Sequence, residues 1–419
     1  MTSRLSSPPL LHAPAAIVLF ALLLAGCDLT GDTEPQSPNF TVADNLNERI
    51  TSLDSGNAAA TSASAKNFSV EGVIRVAPPT VNGEGTTASY ISFNEDGGDR
   101  VFVGYKIPGG EFGGGIDVFN AANPDSLTGI NSIKSTNLDV QEIADDPDEG
   151  AEYVAGALKT NKADASPSVI VKLSFSGNSG NNLTTTHKRL SANVAKGVVN
   201  APAGDSRHDL YVVTDGNALY RYDANLEDEL VQTAGSSELS SITAEGGTIS
   251  MLAKSGALWR SDFGSASAPV QTSLSLDGSG IEDNGIARLT ASDHQNRNNG
   301  SVFVYAALNE GGFRVLDSDV DAELQRQTAG DYTSVSAPDN GNYLYASAEN
   351  PSGENVVEVY EYDGNSSPVW GSAPIATINT ADFFEGATNA QTNQVLAVGD
   401  YLYIANGTDG LVVLEVTSN

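Results

Sequence analysis

The chain has 419 residues, of which 21 are Lys or Arg and 53 are Asp or Glu, for a formal net charge of −32. Such a charge excludes a surface that attracts nucleic acid or anionic lipid headgroups through its overall field. A single cysteine excludes an internal disulfide framework, so any fold must stand on its apolar core.

In chain order, Arg4 precedes an apolar segment from Ala15 to Leu24, which closes on Leu24-Ala25-Gly26-Cys27. A basic start, an apolar middle and small residues at the end are the order of a secretory signal peptide. The apolar run is short of the ~20 residues that span a bilayer comfortably. The motif resembles a bacterial lipoprotein signal with its lipobox. That resemblance implies a signal peptide over 1–26, lipid on the Cys27 thiol, and acylation of the new amino terminus. It implies a membrane partner reached through lipid, and a place in the cell envelope at the periplasmic face or the outer-membrane surface. Asp28, Asp32 and Glu34 follow the cysteine closely and leave the choice of membrane open.

From Asp28 to about Lys66 the chain is rich in Thr, Ser, Asn, Asp and Ala and shows little apolar periodicity. That composition predicts a flexible tether, so the segment 27–66 reads as lipidated cysteine plus tether. A short helix fits around Asn45–Leu53.

The remainder, 67–419, repeats. Asp209–Asp223, Ser301–Asp317 and Asp400–Glu415 each read as strand, Gly-containing turn, strand, then an acid. Looser copies fall at Arg100–Asn120, Ala151–Phe175, Thr248–Asp262 and Asn342–Asp363. A further strand precedes each hairpin: Ser89–Phe93, Val140–Ala144, Lys196–Asn200, Leu239–Ala244, Ile286–Ala291, Thr333–Ala337 and Gln394–Val398. Most repeats carry a fourth strand, two of them ending alike at Gln232-Thr-Ala-Gly235 and Gln327-Thr-Ala-Gly330. The last repeat stops after its third strand, while an orphan strand, Phe68–Val76, precedes the first. Joining the two closes a ring and removes open edges. The expected fold is all-β: a seven-bladed β-propeller of four-stranded blades, sealed by its N- and C-terminal strands. The spacing alone also admits six or eight blades.

The unit Gly410-Leu-Val-Val-Leu-Glu415, preceded by Tyr-Leu-Tyr-Ile-Ala-Asn-Gly-Thr-Asp, resembles the LVIVD-repeat family of bacterial propeller lipoproteins. Gly312–Asp317 and Gly115–Asn120 match it more loosely, and Ser168–Leu173 and Ala257–Asp262 depart from it. The resemblance implies a surface-anchored propeller and carries no catalytic residues.

The sequence holds little chemistry of its own. After the signal peptide the histidines are His187, His208 and His294, none in a ligand spacing. Asn120, Asp223, Asp262, Asp317, Asp363 and Glu415 close successive third strands, where a short polar side chain starts a turn. Asp317, Asp319, Asp321 and Glu323 alternate along one run. Calcium is the ion such a run would take, although the run lacks an EF-hand glycine; solvated acid is the plainer reading. No other cofactor is expected. The predicted function is therefore a binding or scaffolding module for an envelope protein or extracellular ligand, with no nucleic-acid partner. The alternative is a metal-dependent hydrolase or lactonase with its site in the channel.

The acids are spread along the chain, which reads as adaptation to a salty medium more than as a cation or basic-partner site. Salt near 1 M shrinks the Debye length to about 3 Å and screens the self-repulsion. Thermal unfolding of the purified protein should therefore shift to higher temperature from low salt to about 1 M NaCl. A fall would contradict the reading.

Overall fold

The computed structural model describes residues 37–43, 45–53, 68–94, 99–109, 112–146, 151–160, 167–176, 182–191, 194–202, 208–227, 229–236, 238–245, 247–277, 281, 287–293, 302–338, 341–350, 352–362, 370–383 and 390–418. The architecture lies in the compact unit Ser37–Lys159 with Ser166–Asn419. Of the other unit, Met1–Gln36 with Thr160–Ala165, only Thr160 is described.

Seven antiparallel sheets follow one another along the chain. Blades 1 to 6 span 87–135, 138–189, 195–233, 239–275, 288–327 and 331–379, and blade 7 begins at 394. The first strands are Thr87–Asn94, Leu138–Asp146, Ala195–Pro202, Leu239–Glu245, Arg288–Asp293, Asp331–Ser336 and Gln394–Val398. Each touches the first strand of the next blade, and the seventh touches the first. The chain is a closed seven-bladed β-propeller.

The core is divided in the same way. Seven apolar clusters fill the seven interfaces between neighbouring blades. A blade therefore needs apolar side chains on both faces of its middle strands. Ala151–Leu158 is buried at all eight positions, and Leu411, Val412, Val413 and Leu414 are buried too. Gly410 and Gly312 turn the hairpins at positive φ, +87° and +82°; a side chain there would collide with the carbonyls of Val76 and Gln327. First strands of blades 1, 2, 3, 4 and 6 each carry a bulge near their start. A bulge bends a strand and sharpens its twist.

The ring closes as the strand count requires. The strand Phe68–Val76 is the fourth strand of blade 7 and pairs with Leu411–Ser418, Val73 opposite Leu414. The acid column also behaves as turn-starters. Asn120 Oδ1 accepts the Ala122 amide, and Asp223 Oδ1 accepts those of Asn225 and Glu227. Glu415 has no turn to start, because its strand runs on to Ser418. The shared Gln-Thr-Ala-Gly endings are not equivalent in space. Gln232 donates to the Ser265 carbonyl in the outer loop of the following blade. The glutamine that meets the corresponding loop of blade 6 is Gln325, whose Oε1 accepts the Trp370 amide at 2.8 Å.

The segment expected as a tether is corrected over 37–53. Here β1 (Phe40–Val42) adds to the outer edge of blade 1, and β2 (Ile50–Leu53) adds to the outer edge of Phe68–Val76, which is β3. Residues 47–49 form one short 3-10 turn in place of the expected helix. Leu46 is buried in the cluster between blades 7 and 1. Asn47 imitates a strand neighbour: its Oδ1 accepts the Gly129 amide at 2.8 Å and its Nδ2 donates to the Gly129 carbonyl. The Arg49 guanidinium donates to the Ala77 carbonyl, to Ser132 Oγ and to the fully buried Asp117 at 2.6 Å. Polar edge strands carry too few apolar residues to show a period, so composition alone reads as coil. The rest of the tether, and Cys27, lie outside the described residues.

Arg49→Ala leaves Asp117 buried without its cation. Removing one partner of such a pair costs about 3–5 kcal/mol. Equilibrium urea unfolding of the variant should show a loss of that order, with Arg49→Lys losing less. A loss under about 1 kcal/mol would mean a solvated surface pair.

Candidate functional site

The first strands turn one edge toward the axis, and neighbouring blades satisfy part of it with side chains. Ser241 Oγ accepts the Leu289 amide at 2.9 Å, and Thr290 Oγ1 donates to the Val335 carbonyl. Ser336 Oγ accepts the Ala397 amide at 3.0 Å. Gln394 takes both backbone groups of Ile91, accepting at 2.8 Å and donating at 3.1 Å, and Asn393 donates to the Ala88 carbonyl. These contacts tie blade 4 to 5, 5 to 6, 6 to 7, and 7 to 1.

Where the strands run on toward their far ends, all seven line a cup of about 570 Å³. Its walls include Val198, Ile242, Leu289, Pro338 and Leu396. Arg288 lies deep in the cup with its guanidinium over the Tyr90 ring, 5.2 Å from the centroid. Its Nη atoms reach the Asn393 and Ser89 carbonyls at 3.4 and 3.5 Å, and its Nε stands 3.7 Å from Glu142 Oε2. These are long contacts for a buried guanidinium. Among the described residues, Glu142 Oε1 accepts only the neighbouring Ile143 amide, at 3.3 Å. Burial raises the Glu142 carboxyl above its ordinary range; Arg288 and the Ile143 amide pull it part of the way back. Further along the wall, Asn200 Nδ2 donates to the Asp145 carbonyl, while its buried Oδ1 accepts no bond from any described residue.

Toward the start of the first strands lies a second charged group. Burial raises the Asp139 carboxyl against the pull of Lys106, and Gln141 Nε2 donates to it at 2.8 Å. Burial lowers the Lys106 ammonium, and Asp139 opposes that shift.

The run Asp317, Asp319, Asp321 and Glu323 lies away from the axis, on the last turn of blade 5. Asp317 Oδ1 accepts the amides of Asp321 and Ala322. Asp319 and Asp321 both meet Arg260 Nη1 from blade 4, at 3.2 and 3.3 Å. Glu323 forms a two-pronged pair with Arg326, at 2.7 and 3.0 Å, and faces Arg314. The structure disperses the four acids among backbone, neighbouring blade and their own strand. Among the described residues no three His, Cys, Asp or Glu side chains gather as metal ligands. His187 stands on the fourth strand of blade 2, its imidazole lowered by burial and by Arg189. His208 opens the second strand of blade 3, and His294 lies outside the described residues.

Arg288 and Glu142 carry no sequence motif. Their signal is positional: each is the one charged residue of its predicted first strand, Val140–Ala144 and Ile286–Ala291.

The class defined by fold and site is a β-propeller with an axial cup. No family model matches the chain, and no curated protein matches it. Among solved structures it is similar to a chain in a crystal structure of the mitotic checkpoint complex, at TM-score 0.53 and 11% identity, over 92% of this chain and 97% of that one. It is also similar to Raptor of Chaetomium thermophilum, at TM-score 0.50 and 13% identity, over 80% of this chain and 28% of that one. Identities this low establish the fold alone.

The raised Glu142 carboxyl has a stability consequence. Between its ordinary value, 4.5, and its raised one, the native state keeps a proton that the unfolded chain releases. Native stability from this group therefore falls as pH rises through that window. Carbon-13 NMR of labelled glutamate should find Glu142 titrating above 4.5, and higher still in Arg288→Met. A midpoint at or below 4.5 would contradict the burial of this carboxyl.

Proposed function

We propose that this chain is an exported, lipid-anchored β-propeller that serves as a binding and scaffolding module at the cell envelope. The observation that carries the binding role is the axial cup: a concave site lined by all seven blades, its surface more polar than apolar, with Glu142, Asp145 and Arg288 among the lining. Small-molecule sites are concave clefts in which a few placed polar groups fix orientation. The fold supports the scaffold role, since a rigid closed ring presents fixed loops to protein partners. The mitotic checkpoint complex, one of whose chains has this fold, is by its name an assembly. The anchoring role rests on the sequence from Ala15 to Cys27.

The hydrolase alternative requires acids, an amide and a metal to meet at one point. Glu142 and Asp145 are three residues apart on one strand, which separates their Cα atoms by about 10 Å. Glu142 is also held beside Arg288. The lining gives that alternative no support.

Two measurements test the proposal in native membranes. Palmitate label should be lost in Cys27→Ala, and retention of label would remove the anchor. Crosslinking mass spectrometry should find one dominant partner on the rim of the cup. Reproducible absence of any partner there would overturn the scaffold role.

A further inference from the structure

The cup is asymmetric in charge. Glu142 keeps 18% of its side chain exposed, while Arg288, its partner, keeps 3%. Both side chains line the cup, and Glu142 is the more accessible of the two. The pair is loose at 3.7 Å, beyond hydrogen-bond reach, and among the described residues Glu142 receives only one weak bond, from its own neighbour. A carboxylate has about four acceptor sites, so most of the capacity of Glu142 is unused. On the adjoining wall, the buried Asn200 Oδ1 is a second acceptor with no described donor. Both unmet groups want N–H donors. Val198, Ile242 and Leu289 line the same cup, each largely buried in the interface between neighbouring blades. The surrounding protein, at −32, raises the local concentration of cations and lowers that of anions.

We infer that the axial cup binds a primary organic amine, its ammonium donating to Glu142 and its aliphatic body lying along the wall. This rests on the reading of the cup as the binding surface, and it adds the chemical class of the ligand. An ammonium has three donors and no acceptor, which suits the unused acceptor sites of Glu142, and these donors act against the like charge of Arg288. A carboxylate ligand would have to approach past Glu142 to reach Arg288. The alkyl chain supplies the area that favours entry, about 0.8 kcal/mol per buried CH₂.

Calorimetric titration of the purified full-length protein with n-hexylammonium, n-hexanoate and 1-hexanol tests the inference. Saturable binding of hexylammonium, with hexanoate and hexanol at least about tenfold weaker, is expected, since hydrogen bonds to charged groups contribute about 1.5–3 kcal/mol. Glu142→Gln should weaken the amine about tenfold. That variant leaves Arg288 without its anion, so Ala291→Leu provides an independent check by filling the cup without altering charge. It too should weaken amine binding. Tighter binding of hexanoate would overturn the inference and make Arg288 the recognising group. Amine binding that survives both variants and fades with salt would also overturn it, because it would belong to the acidic surface. If the amine fails while Ala291→Leu still displaces a crosslinked partner from the rim, the ligand class is wrong and the cup remains the binding surface.

Discussion

Everything in this molecule depends on what happens to strand edges. Each four-stranded blade has an inner edge at the axis and an outer edge at the perimeter, both lined with backbone donors and acceptors. Water can satisfy the outer edges. At the axis, space is limited, and the neighbouring blade provides part of the bonding. Ser241, Thr290, Ser336, Asn393 and Gln394 each reach across to backbone of the next first strand. An amide such as Gln394 can replace a strand neighbour outright, because it both accepts from and donates to the backbone of Ile91. These side chains hold the ring at a fixed diameter. The cup beyond them is therefore a rigid cavity, with its charges held at set depths.

The Arg288–Glu142 pair is difficult to justify as a stabilising device. Taking two charges out of water costs several kcal/mol per ion, and only good geometry recovers it. At 3.7 Å, with long contacts to two carbonyls, the geometry is poor. By contrast, Arg49 and Asp117 meet at 2.6 Å, and Arg49 has further acceptors in Ala77 and Ser132. One pair fastens a seam and the other lies in a cavity with unmet bonding capacity. That contrast is what singles out the cup.

The repeat was legible because blade geometry writes itself into sequence. Buried middle strands are apolar on both faces, hairpins such as Gly410 and Gly312 need positive φ, and third strands end on a turn-starting Asn or Asp. Even the closure could be read, from one strand too many at the start and one too few at the end. The site was not legible. Glu142 and Arg288 lie 146 positions apart on strands that meet only when the ring forms, and neither has a local motif. The acid run at Asp317–Glu323 admitted calcium beside the plainer reading as solvated acid, and spacing along a chain says nothing of Arg260, from the preceding blade, or of Arg314, on its own blade. The clasp at 37–53 was hidden for another reason. Its hold comes from Asn39, Asn47 and Arg49 bonding to backbone and to one buried acid, and polar contacts of that kind have no periodicity.

The seam has a consequence for how the chain reaches this state. Ser69 and Thr417 share a hydrogen bond across 348 positions, so β3 pairs with a strand synthesised after all six other blades. Such contacts carry the greatest loop-closure cost and form late. Until residues 411–418 arrive, β3 has no inner neighbour, and β2 has only an unsupported strand to rest on. Five blade interfaces can assemble progressively, but the two that flank blade 7 wait for residues 411–416. During that interval an open strand edge is available to any other chain. Loss of the final eight residues would leave that interval without an end, so a short C-terminal truncation should be more damaging than its length suggests.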